Sequence, residues 1–392
     1  MASKATKTLK DFDFANKRVL VRCDFNVPIN GGKVEDVFRI KQTLPTIEYL
    51  VKNNAKVILM SHLGEPEGRI VDELKLTPVQ EKLAELLDMP VKKASDCVGV
   101  DIEKQTQEME PGEILLLENL RFHKGEQEND LDFAKKLAKL ADFYINDAFG
   151  VCHRKHASVV GITKYLPSGI GLLLEKEIKV LSRVMKNPER PLVAIIGGAK
   201  VSTKMMVIKS FVEKADQVLL GGKLANTLLI VSGVCKDRVC PEENIIKEIQ
   251  SIDFKSPKIH LPIDAMASLD TKGESYIRSI EIEKAGKDEL LLDIGPETLK
   301  EFCQIVEGAR MIVWSGPMGF FENPLFEKGT RELAEKITEN REAYKVIGGG
   351  DTVSAVMKFG LFDKFDHVST GGGAMLSFLS EEELPGLRAL EG

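Results

Sequence analysis

The stretch PLVAIIGGAKVSTKMMVIKSFVEKADQVLLGG, residues 191–222, contains the pattern that determines the predicted fold. A short apolar run, LVAII, ends in two glycines and is followed by residues of helical character. A second apolar run and glycine pair, VLLGG, follow the helix. Apolar runs without polar alternation are typical of strands buried on both faces of a parallel sheet. The stretch therefore predicts a strand–helix–strand unit of an α/β protein.

The same alternation extends in both directions along the chain. Thr77-Pro78 predicts a helix with Thr77 as its cap, and Asp130 and Pro296 each predict the start of another helix. The other predicted strands are RVLVRCDF (18–25), AKVILMSHL (55–63), GEILLLEN (112–119), ADFYINDAF (141–149), RMIVWSGP (310–317), YKVIGGGDT (344–352) and FDHVSTGGG (365–373).

The length of 392 residues predicts more than one domain, because a single core rarely exceeds about 250–300 residues. We expect two doubly wound parallel-sheet lobes of Rossmann-like type, joined by a bridging helix. The helical pattern in SGIGLLLEKEIKVLSRVMKNPERP (168–191) marks that helix. The predicted lobes are 1–170 and 188–379, with the interdomain helix at 171–187.

Composition excludes several classes of protein. Lys and Arg total 54 and Asp and Glu total 60, a net charge of −6, which argues against nucleic acid as the main partner. No apolar run approaches the ~18 residues of a membrane-spanning helix, and the first residues lack a secretory signal. None of the six cysteines forms a CxxC pair, and Cys235 and Cys240 have no second Cys/His pair nearby for zinc. We therefore expect reduced thiols in a cytoplasmic protein without a membrane segment.

The strand ends of the first half carry polar and basic side chains. Arginine suits bidentate contact with phosphate or carboxylate. Ligands bind at the carboxyl ends of the strands in open α/β sheets, so the pattern predicts a site for a small, multiply charged anion. The residues are Asp24, Asn26, Arg39, His62, Asn119, Arg121, Asn146, Asp147, His153, Arg154 and His156.

The strand ends of the second half are rich in glycine, at 197–198, 348–350 and 371–373. Backbone N–H groups in such turns and at helix N-termini bind phosphate. Lys200 and Lys204, four residues apart, are predicted to share a helical face toward the phosphates, and Asp351 offers a hard oxygen ligand for Mg²⁺. The second lobe is therefore predicted to bind a magnesium nucleotide. An anion in one lobe and a nucleotide in the other indicate phosphoryl transfer, with lobe closure to exclude water.

Other nucleotide enzymes fit the sequence less well. It has neither a G-x-x-x-x-G-K-[ST] motif nor the protein-kinase motifs, and no complete G-x-G-x-x-G follows a strand. IIGGAK with Asp216 downstream resembles that last fingerprint loosely. An NAD-dependent oxidoreductase therefore remains an alternative.

Motifs along essentially the whole chain resemble the phosphoglycerate kinase family. They are RVLVRCDFNVP, RIKQTLPTI, SHLG, ENLRFHKGE, NDAFG, HRKHAS, GGAKVSTK, LPID, DIGP, WSGPMGFFE, GGGDT and STGGGA. The resemblance implies a glycolytic kinase that transfers a phosphoryl group directly between 1,3-bisphosphoglycerate and MgADP, giving 3-phosphoglycerate and MgATP. It also implies a monomer, with the tail 380–392 packed back on the first lobe.

The resemblance assigns roles to matching positions. The substrate-binding residues would be Asp24, Asn26, Arg39, His62, Arg121 and Arg154. Catalytic groups would be Arg39, Lys200, Gly372 and Gly373, and Asp351 would hold Mg²⁺. The nucleotide-binding residues would be Gly198, Lys200, Lys204, Gly221, Gly222, Pro317, Glu322, Gly349, Gly350, Asp351 and Thr352.

Three positions depart from the family pattern. Glu65 follows HLG where the family usually has Arg, with Arg69 four residues later as a possible replacement for its charge. Ser315 replaces an Asn in WNGP, and Lys223 stands where a third glycine is common. Glu65 and Ser315 leave a catalytically inert, ligand-binding homologue as another alternative.

Overall fold

The computed structural model describes residues 6–235, 242–254 and 256–391. They form two compact units: Met1–Lys179 with Glu383–Gly392, and Val180–Glu382. The division between the units falls inside the helix Leu172–Lys186.

The first unit contains a six-stranded parallel sheet with helices along the chain between its strands. The strands of this unit are β1 (Arg18–Arg22), β2 (Ile29–Asn30), β3 (Lys33–Val34), β4 (Lys56–Met60), β5 (Val91–Lys93), β6 (Ile114–Leu116), β7 (Phe143–Asn146) and β8 (Ser168–Ile170). Of these, β2 and β3 form a separate antiparallel pair outside the six-stranded sheet. Its helices are α1 (Phe38–Lys52), α2 (Thr77–Leu87), α3 (Val100–Gln107), α4 (Lys124–Gln127), α5 (Leu131–Ala138) and α6 (Leu172–Lys186), which continues into the second unit.

The strand order of this sheet is β5-β6-β4-β1-β7-β8. β1 is central, with Val19 in register with Val57 of β4 on one side and Phe143 of β7 on the other. The last four residues of β1 are buried, as expected for a strand covered on both faces. The chain extends the sheet first on the β4 side and then on the β7 side, so the switch in strand order lies at β1. Ligand sites of open α/β sheets lie beyond the carboxyl ends of strands at such a switch.

The second unit repeats this architecture and adds a smaller antiparallel sheet. Its strands are β9 (Leu192–Ile196), β10 (Gln217–Leu220), β11 (Ile259–His260), β12 (Asp264–Ser268), β13 (Arg278–Glu281), β14 (Leu290–Ile294), β15 (Met311–Ser315), β16 (Tyr344–Ile347) and β17 (His367–Val368). Its helices are α7 (Met205–Lys214), α8 (Gly222–Val231), α9 (Glu243–Gln250), α10 (Pro296–Glu307), α11 (Lys328–Glu339), α12 (Gly350–Lys358) and α13 (Gly372–Leu379). A last helix, α14 (Pro385–Arg388), belongs to the first unit.

The parallel sheet of the second unit has the order β11-β10-β9-β15-β16-β17. β9 is entirely buried and switches the strand order, with β10 on one side and β15 on the other. The antiparallel sheet has the order β13-β12-β14. The sequence analysis did not predict that sheet, because its strands are short and its outer strand, β13, is largely exposed.

The predicted α/β class with two parallel sheets is confirmed. Asp130 caps α5 by accepting the Phe133 N–H at 2.6 Å, and Pro296 begins α10 as predicted. The predicted cap at Thr77 is wrong: Leu76 is the cap and Thr77 the first helical residue. Cys23, Cys97 and Cys152 are buried free thiols, and Cys240 lies outside the described residues. Within the described part of the chain, none of the helices combines the length and apolar character needed to span a membrane.

Candidate functional site

The first unit links four of the six predicted glycerate-binding residues, Asp24, Asn26, Arg39 and Arg121, through a continuous chain of contacts. Asp24 and Asn26 follow β1, and Arg39 lies in the first turn of α1. Arg39 Nη1 is 3.4 Å from Asp24 Oδ2 and donates to the Asn26 carbonyl at 2.9 Å. Asp24 is buried whereas the Arg39 side chain is 31% exposed. The buried carboxylate thus orients a guanidinium that solvent or a ligand can still reach.

The contact chain continues to Arg121 through the turn after β4. The Gly64 N–H donates to Asn26 Oδ1 at 2.9 Å, and the Gly64 carbonyl accepts from Arg121 Nη1 at 2.8 Å. Arg121 is buried in the 3₁₀ turn Leu120–Phe122. The Asn119 side chain caps this turn by accepting the Arg121 N–H at 3.1 Å. Asn119 therefore positions Arg121 through the backbone.

Arg22, which the sequence analysis did not propose, determines the protonation of His62. It is fully buried, and its Nη2 lies 3.3 Å from His62 Nδ1. A guanidinium can only donate, so Nδ1 accepts and the ring proton is on Nε2. Burial, followed by the charges of Arg22 and Arg121, holds the pKa of His62 well below its usual value. His62 is therefore a neutral imidazole that can donate from Nε2.

Buried Glu126 balances part of this positive charge. Its Oε1 accepts from Ser158 Oγ at 2.6 Å and lies 3.9 Å from Arg22 Nη2. Ser158 Oγ in turn accepts from Arg22 Nε at 2.8 Å. A sequence search for charge at strand ends missed Glu126, because it lies in the short helix α4. Only the tertiary structure brings it beneath β1.

Arg154 is exposed. Burial lowers the pKa of Arg121, and the charges of Arg22 and Arg154 lower it further. Burial, followed by the charges of Arg22 and Arg121, lowers the pKa of His156 to about 3. His153 also has a lowered pKa, mainly through burial. Burial and the neighbouring cations therefore both disfavour protonation of these histidines, and the cations create a local positive charge.

Asp147 has a different role from the other strand-end residues. Its Oδ1 accepts from the N–H groups of Leu173 at 2.9 Å and Leu174 at 3.1 Å. It therefore caps the first turn of α6, and burial raises its pKa from 3.8 to about 7. The structure thus assigns Asp147 a helix-capping role.

In the second unit, glycine turns pack tightly at the carboxyl ends of β9, β10 and β15. The Gly198 N–H donates to the Pro317 carbonyl at 2.8 Å, and Leu224 N–H to the Gly198 carbonyl at 3.0 Å. Gly198 has φ +88° and Gly222 φ +63°, and a Cβ on Gly222 would lie 2.7 Å from Gly198 N. The positive φ values and the absence of room for a side chain both require glycine there.

Two further glycine turns bring the N-termini of α12 and α13 side by side. Gly349 (φ +97°) caps α12 and Gly371 caps α13, and a Cβ on Gly372 would lie 3.0 Å from Gly349 Cα. Gly350 and Gly373 follow in the first turns. Free N–H groups and the positive ends of the helix dipoles therefore point toward one region.

Lys200 and Lys204 do not share a helical face, and that part of the prediction is wrong. Lys200 precedes the 3₁₀ turn Ser202–Lys204 and is exposed, whereas Lys204 is buried. Lys204 Nζ donates to the Gly197 carbonyl and lies 3.4 Å from the Ser315 carbonyl. Burial lowers the pKa of Lys204 to about 8, and the charge of Asp351 opposes this shift.

Thr352 makes a structural contact. Its hydroxyl accepts the Gly316 N–H at 2.6 Å, and both residues are buried. Gly316 has φ +97°, a conformation that glycine adopts without strain, and the hydroxyl holds this turn after β15. Ser315 is buried beside it and uses its carbonyl to accept from Gly197 N–H at 3.0 Å.

A cavity of about 450 Å³ opens at these turns. The predicted residues Gly198, Gly222, Pro317, Glu322 and Asp351 line it, together with the family departure Lys223. Gly221 lies beside it at the start of α8. The lining residues that the sequence analysis missed are Ala199, Asn226, Thr271, Leu290, Leu291, Leu292, Gly319 and Phe320.

Several of these missed residues form an apolar wall. Leu290 and Phe320 are exposed at 40% and 37%, although large apolar side chains are usually covered. An apolar wall opposite a phosphate-binding glycine edge suits a nucleoside. The run LLLD was the available signal in the sequence, but only the structure shows which leucines face the cavity.

Asp351 fits the role of a ligand to nucleotide-bound Mg²⁺. It lies in the first turn of α12, is exposed, and lines the cavity beside Gly198 and Ala199. A carboxylate that keeps access to water is the type of ligand that Mg²⁺ uses beside phosphates.

Asp216 does not lie where a dinucleotide enzyme would need it. Its Oδ2 accepts from Leu192 N–H at 2.7 Å, and its Oδ1 pairs with Arg190 Nη1 at 2.7 Å. Leu192 begins β9, so Asp216 lies at the amino end of the sheet, opposite the ligand-binding edge. The geometry therefore does not support the NAD-dependent oxidoreductase.

The similarity to known proteins extends over both units of the chain. The family model described as phosphoglycerate kinase matches residues 9–382. The chain is 46% identical to phosphoglycerate kinase of Dictyoglomus turgidum, over 100% of both chains, and 47% identical to that of Moorella thermoacetica, over 98% of this chain and 99% of the relative. The structure of phosphoglycerate kinase from Coxiella burnetii is similar, with a TM-score of 0.85 at 36% identity, covering 98% of this chain and 99% of that one. The basic strand ends, the glycine-lined cavity and this full-length similarity agree: the chain belongs to the phosphoglycerate kinase family and catalyses the kinase step of glycolysis.

Proposed function

We propose that the first unit binds 1,3-bisphosphoglycerate or 3-phosphoglycerate and that the second binds MgADP or MgATP. The cavity in the second unit carries this proposal, because glycine turns, an apolar wall and an exposed carboxylate meet around it. The first unit supplies the complementary group of cations for an anionic three-carbon substrate. These groups suit transfer between two bound anions.

On the glycerate side, Arg39, His62, Arg121 and Arg154 bind the carboxylate and phosphate oxygens. Asp24 orients Arg39, and Asn26 holds the turn that supports Arg121. His62 donates from Nε2, because Arg22 occupies Nδ1. This set would bind a multiply charged anion more tightly than a neutral sugar.

On the nucleotide side, Leu290 and Phe320 contact the base and Glu322 accepts from the ribose. The N–H groups at Gly349 and Gly350 face the phosphates, with Gly198, Gly221 and Gly222 shaping the pocket. Lys204 supports the turn and adds positive charge, and Thr352 acts through the turn at Gly316 and Pro317. Asp351 holds the Mg²⁺ that enters with the nucleotide.

The transfer itself depends on positioning and charge neutralisation. Arg39 and Lys200 neutralise the transferring phosphoryl, and the N–H groups of Gly372 and Gly373 bind its oxygens. The acyl phosphate is a good donor, so formation of ATP requires no dedicated base. We propose that the lobes 1–170 and 188–379 close during turnover, with the helix at 171–187 as the hinge element, because water would otherwise hydrolyse the nucleotide.

Replacement of Arg39 by Ala tests the assignment. We expect the variant to lose at least about 100-fold in kcat, as is typical when a group that stabilises transition-state charge is removed. Affinity for ADP should change little. A coupled assay of ATP formation and calorimetry with ADP measure the two quantities.

Lys41→Ala is the matched control, because Lys41 lies on an exposed position of the same helix α1. It should retain normal turnover. Normal turnover of Arg39→Ala would refute the role of Arg39, and equal losses in both variants would indicate a general effect of charge.

We also propose that the protein acts as a monomer in the cytoplasm. Sedimentation of the purified protein and fractionation of cells test these two points, and a stable dimer or a membrane-associated pool would contradict them.

A further inference from the structure

Glu65 occupies a donor of the arginine that we assign to the glycerate substrate. Glu65 Oε1 accepts from Arg121 Nη1 at 2.5 Å. Arg121 is only 4% exposed, whereas the Glu65 side chain is 61% exposed. A charged hydrogen bond at this distance is among the stronger side-chain contacts. The buried cation therefore meets an acidic side chain that can move into solvent.

The carboxylate of Glu65 is held at both oxygens. Oε2 accepts from Gln127 Nε2 at 3.0 Å, on helix α4. The Gly64 backbone immediately before it is anchored to Asn26 and Arg121, and Pro66 restricts Glu65 to extended backbone. The position of the carboxylate is therefore set by the same turn that supports the glycerate-binding residues.

Arg121 still has donor capacity for an anion. Its Nε is buried and has no hydrogen-bond partner among the described residues. Burial lowers the pKa of Arg121, and the charges of Arg22 and Arg154 also disfavour its protonated form, whereas the charge of Glu65 favours it. The negative charge of Glu65 thus offsets repulsion between Arg121 and the neighbouring arginines, which a bound substrate anion would otherwise offset.

We propose that Glu65 is an internal competitor for Arg121, which lowers the affinity of this enzyme for its phosphorylated three-carbon substrate and is displaced when that substrate binds. The inference rests on the proposed assignment of Arg121 to that substrate. Relative to the arginine usual in the family, Glu65 changes the local charge by two units. Arg69, four residues later, is exposed.

Glu65→Gln tests the competition with little change in shape. We expect the KM for 3-phosphoglycerate to fall about two- to five-fold, the range of a partly exposed ion pair. The KM for ATP should be unchanged. The dependence of the 3-phosphoglycerate KM on salt should become steeper, because the substrate then faces a larger net positive charge.

Glu67→Gln is the control for loss of one negative charge nearby, since Glu67 is exposed and lies two residues away in the same turn. It should change the KM for 3-phosphoglycerate less than Glu65→Gln does. An unchanged or raised KM in Glu65→Gln overturns the inference, and so does an equal decrease in both variants.

Arg121→Gln separates this inference from the proposed function. A raised KM for 3-phosphoglycerate in Arg121→Gln, with no decrease in Glu65→Gln, means that the site is correct and the competition wrong. An unchanged KM in Arg121→Gln refutes the assignment of Arg121 and, with it, the inference.

Discussion

At the scale of single residues, the side chains that the sequence predicts as ligand contacts fall into two groups. Some are accessible to a ligand, and others hold the backbone of the turns beside it. Arg39 and Lys200 are accessible, whereas Thr352 and Lys204 are bonded to backbone groups of the turns that carry the ligand-facing glycines. The difference follows from burial. A buried hydroxyl or ammonium must find partners within the protein, because unpaired polar groups are costly.

Thr352→Val should therefore lower the free energy of unfolding of the second unit, rather than remove a direct contact with the nucleotide. The buried Gly316 N–H loses its acceptor at 2.6 Å, at a cost of about 1–3 kcal/mol. Trp314, the only tryptophan, is buried in the strand that leads to this turn. Urea unfolding followed by its fluorescence measures the loss.

Thr352→Ser retains the hydroxyl and should recover most of the stability. If Val and Ser at this position unfold at the same urea concentration, the hydrogen bond to Gly316 does not contribute as stated.

At the scale of elements, the two units place the groups proposed to bind anions on strand ends next to the central strands β1 and β9. A strand buried on both faces leaves only its end accessible, so polar residues after it collect at one edge of the sheet. Helix α6 begins at the same edge of the first unit, where the buried Asp147 accepts from the N–H groups of Leu173 and Leu174.

Asp147→Asn should flatten the dependence of stability on pH. The pKa of Asp147 is raised from 3.8 to about 7, so between these values the folded state holds a proton that the unfolded state has lost. Stabilisation from this group is therefore greatest at low pH and decreases as pH rises toward about 7. The wild type should lose about 1.4 kcal/mol more per pH unit than the variant over this range.

Urea unfolding followed by circular dichroism from pH 4.5 to 8 measures both proteins. Parallel curves would contradict the raised pKa, since asparagine keeps the oxygen acceptor but cannot titrate.

At the scale of the whole molecule, the chain leaves the first unit, builds the second, and returns its last residues to the first. The Gly386 N–H donates to the Cys152 carbonyl at 2.9 Å, and Leu384 and Leu390 are each 5% exposed. A Cβ on Gly386 would lie 2.9 Å from Cys152 Cα. The tail is thus packed as part of a core.

Leu390→Ala should destabilise the first unit by about 2–4 kcal/mol, the usual cost of emptying a buried leucine site. Amide hydrogen exchange should show faster opening in the first unit, while Trp314 in the second reports an unchanged transition. Arg388→Ala, at an exposed position two residues before Leu390 in the same tail, should have little effect. Equal exchange in the two variants would mean that the tail does not contribute to this core.

The sequence by itself determined the α/β class and the two sheets, and it supplied the proposal of an anion at one strand edge and a nucleotide at the other. Apolar runs, glycine turns and strand-end charges are local features, and parallel strands bring their ends to one edge whatever the details of packing. Asp24, Arg39, Gly198 and Asp351 could be found in this way.

The tertiary structure alone decided which polar groups are buried and what they contact. Arg22 at Nδ1 of His62, Glu126 beneath β1, and Leu290 on the cavity wall come from different parts of the chain, and no spacing in the sequence predicts their contacts. Charge compensation in a buried site depends on distances between elements, which are set by packing. For the same reason Glu65 was visible in the sequence only as a departure from the family pattern, and its contact with Arg121 appeared only in the tertiary structure.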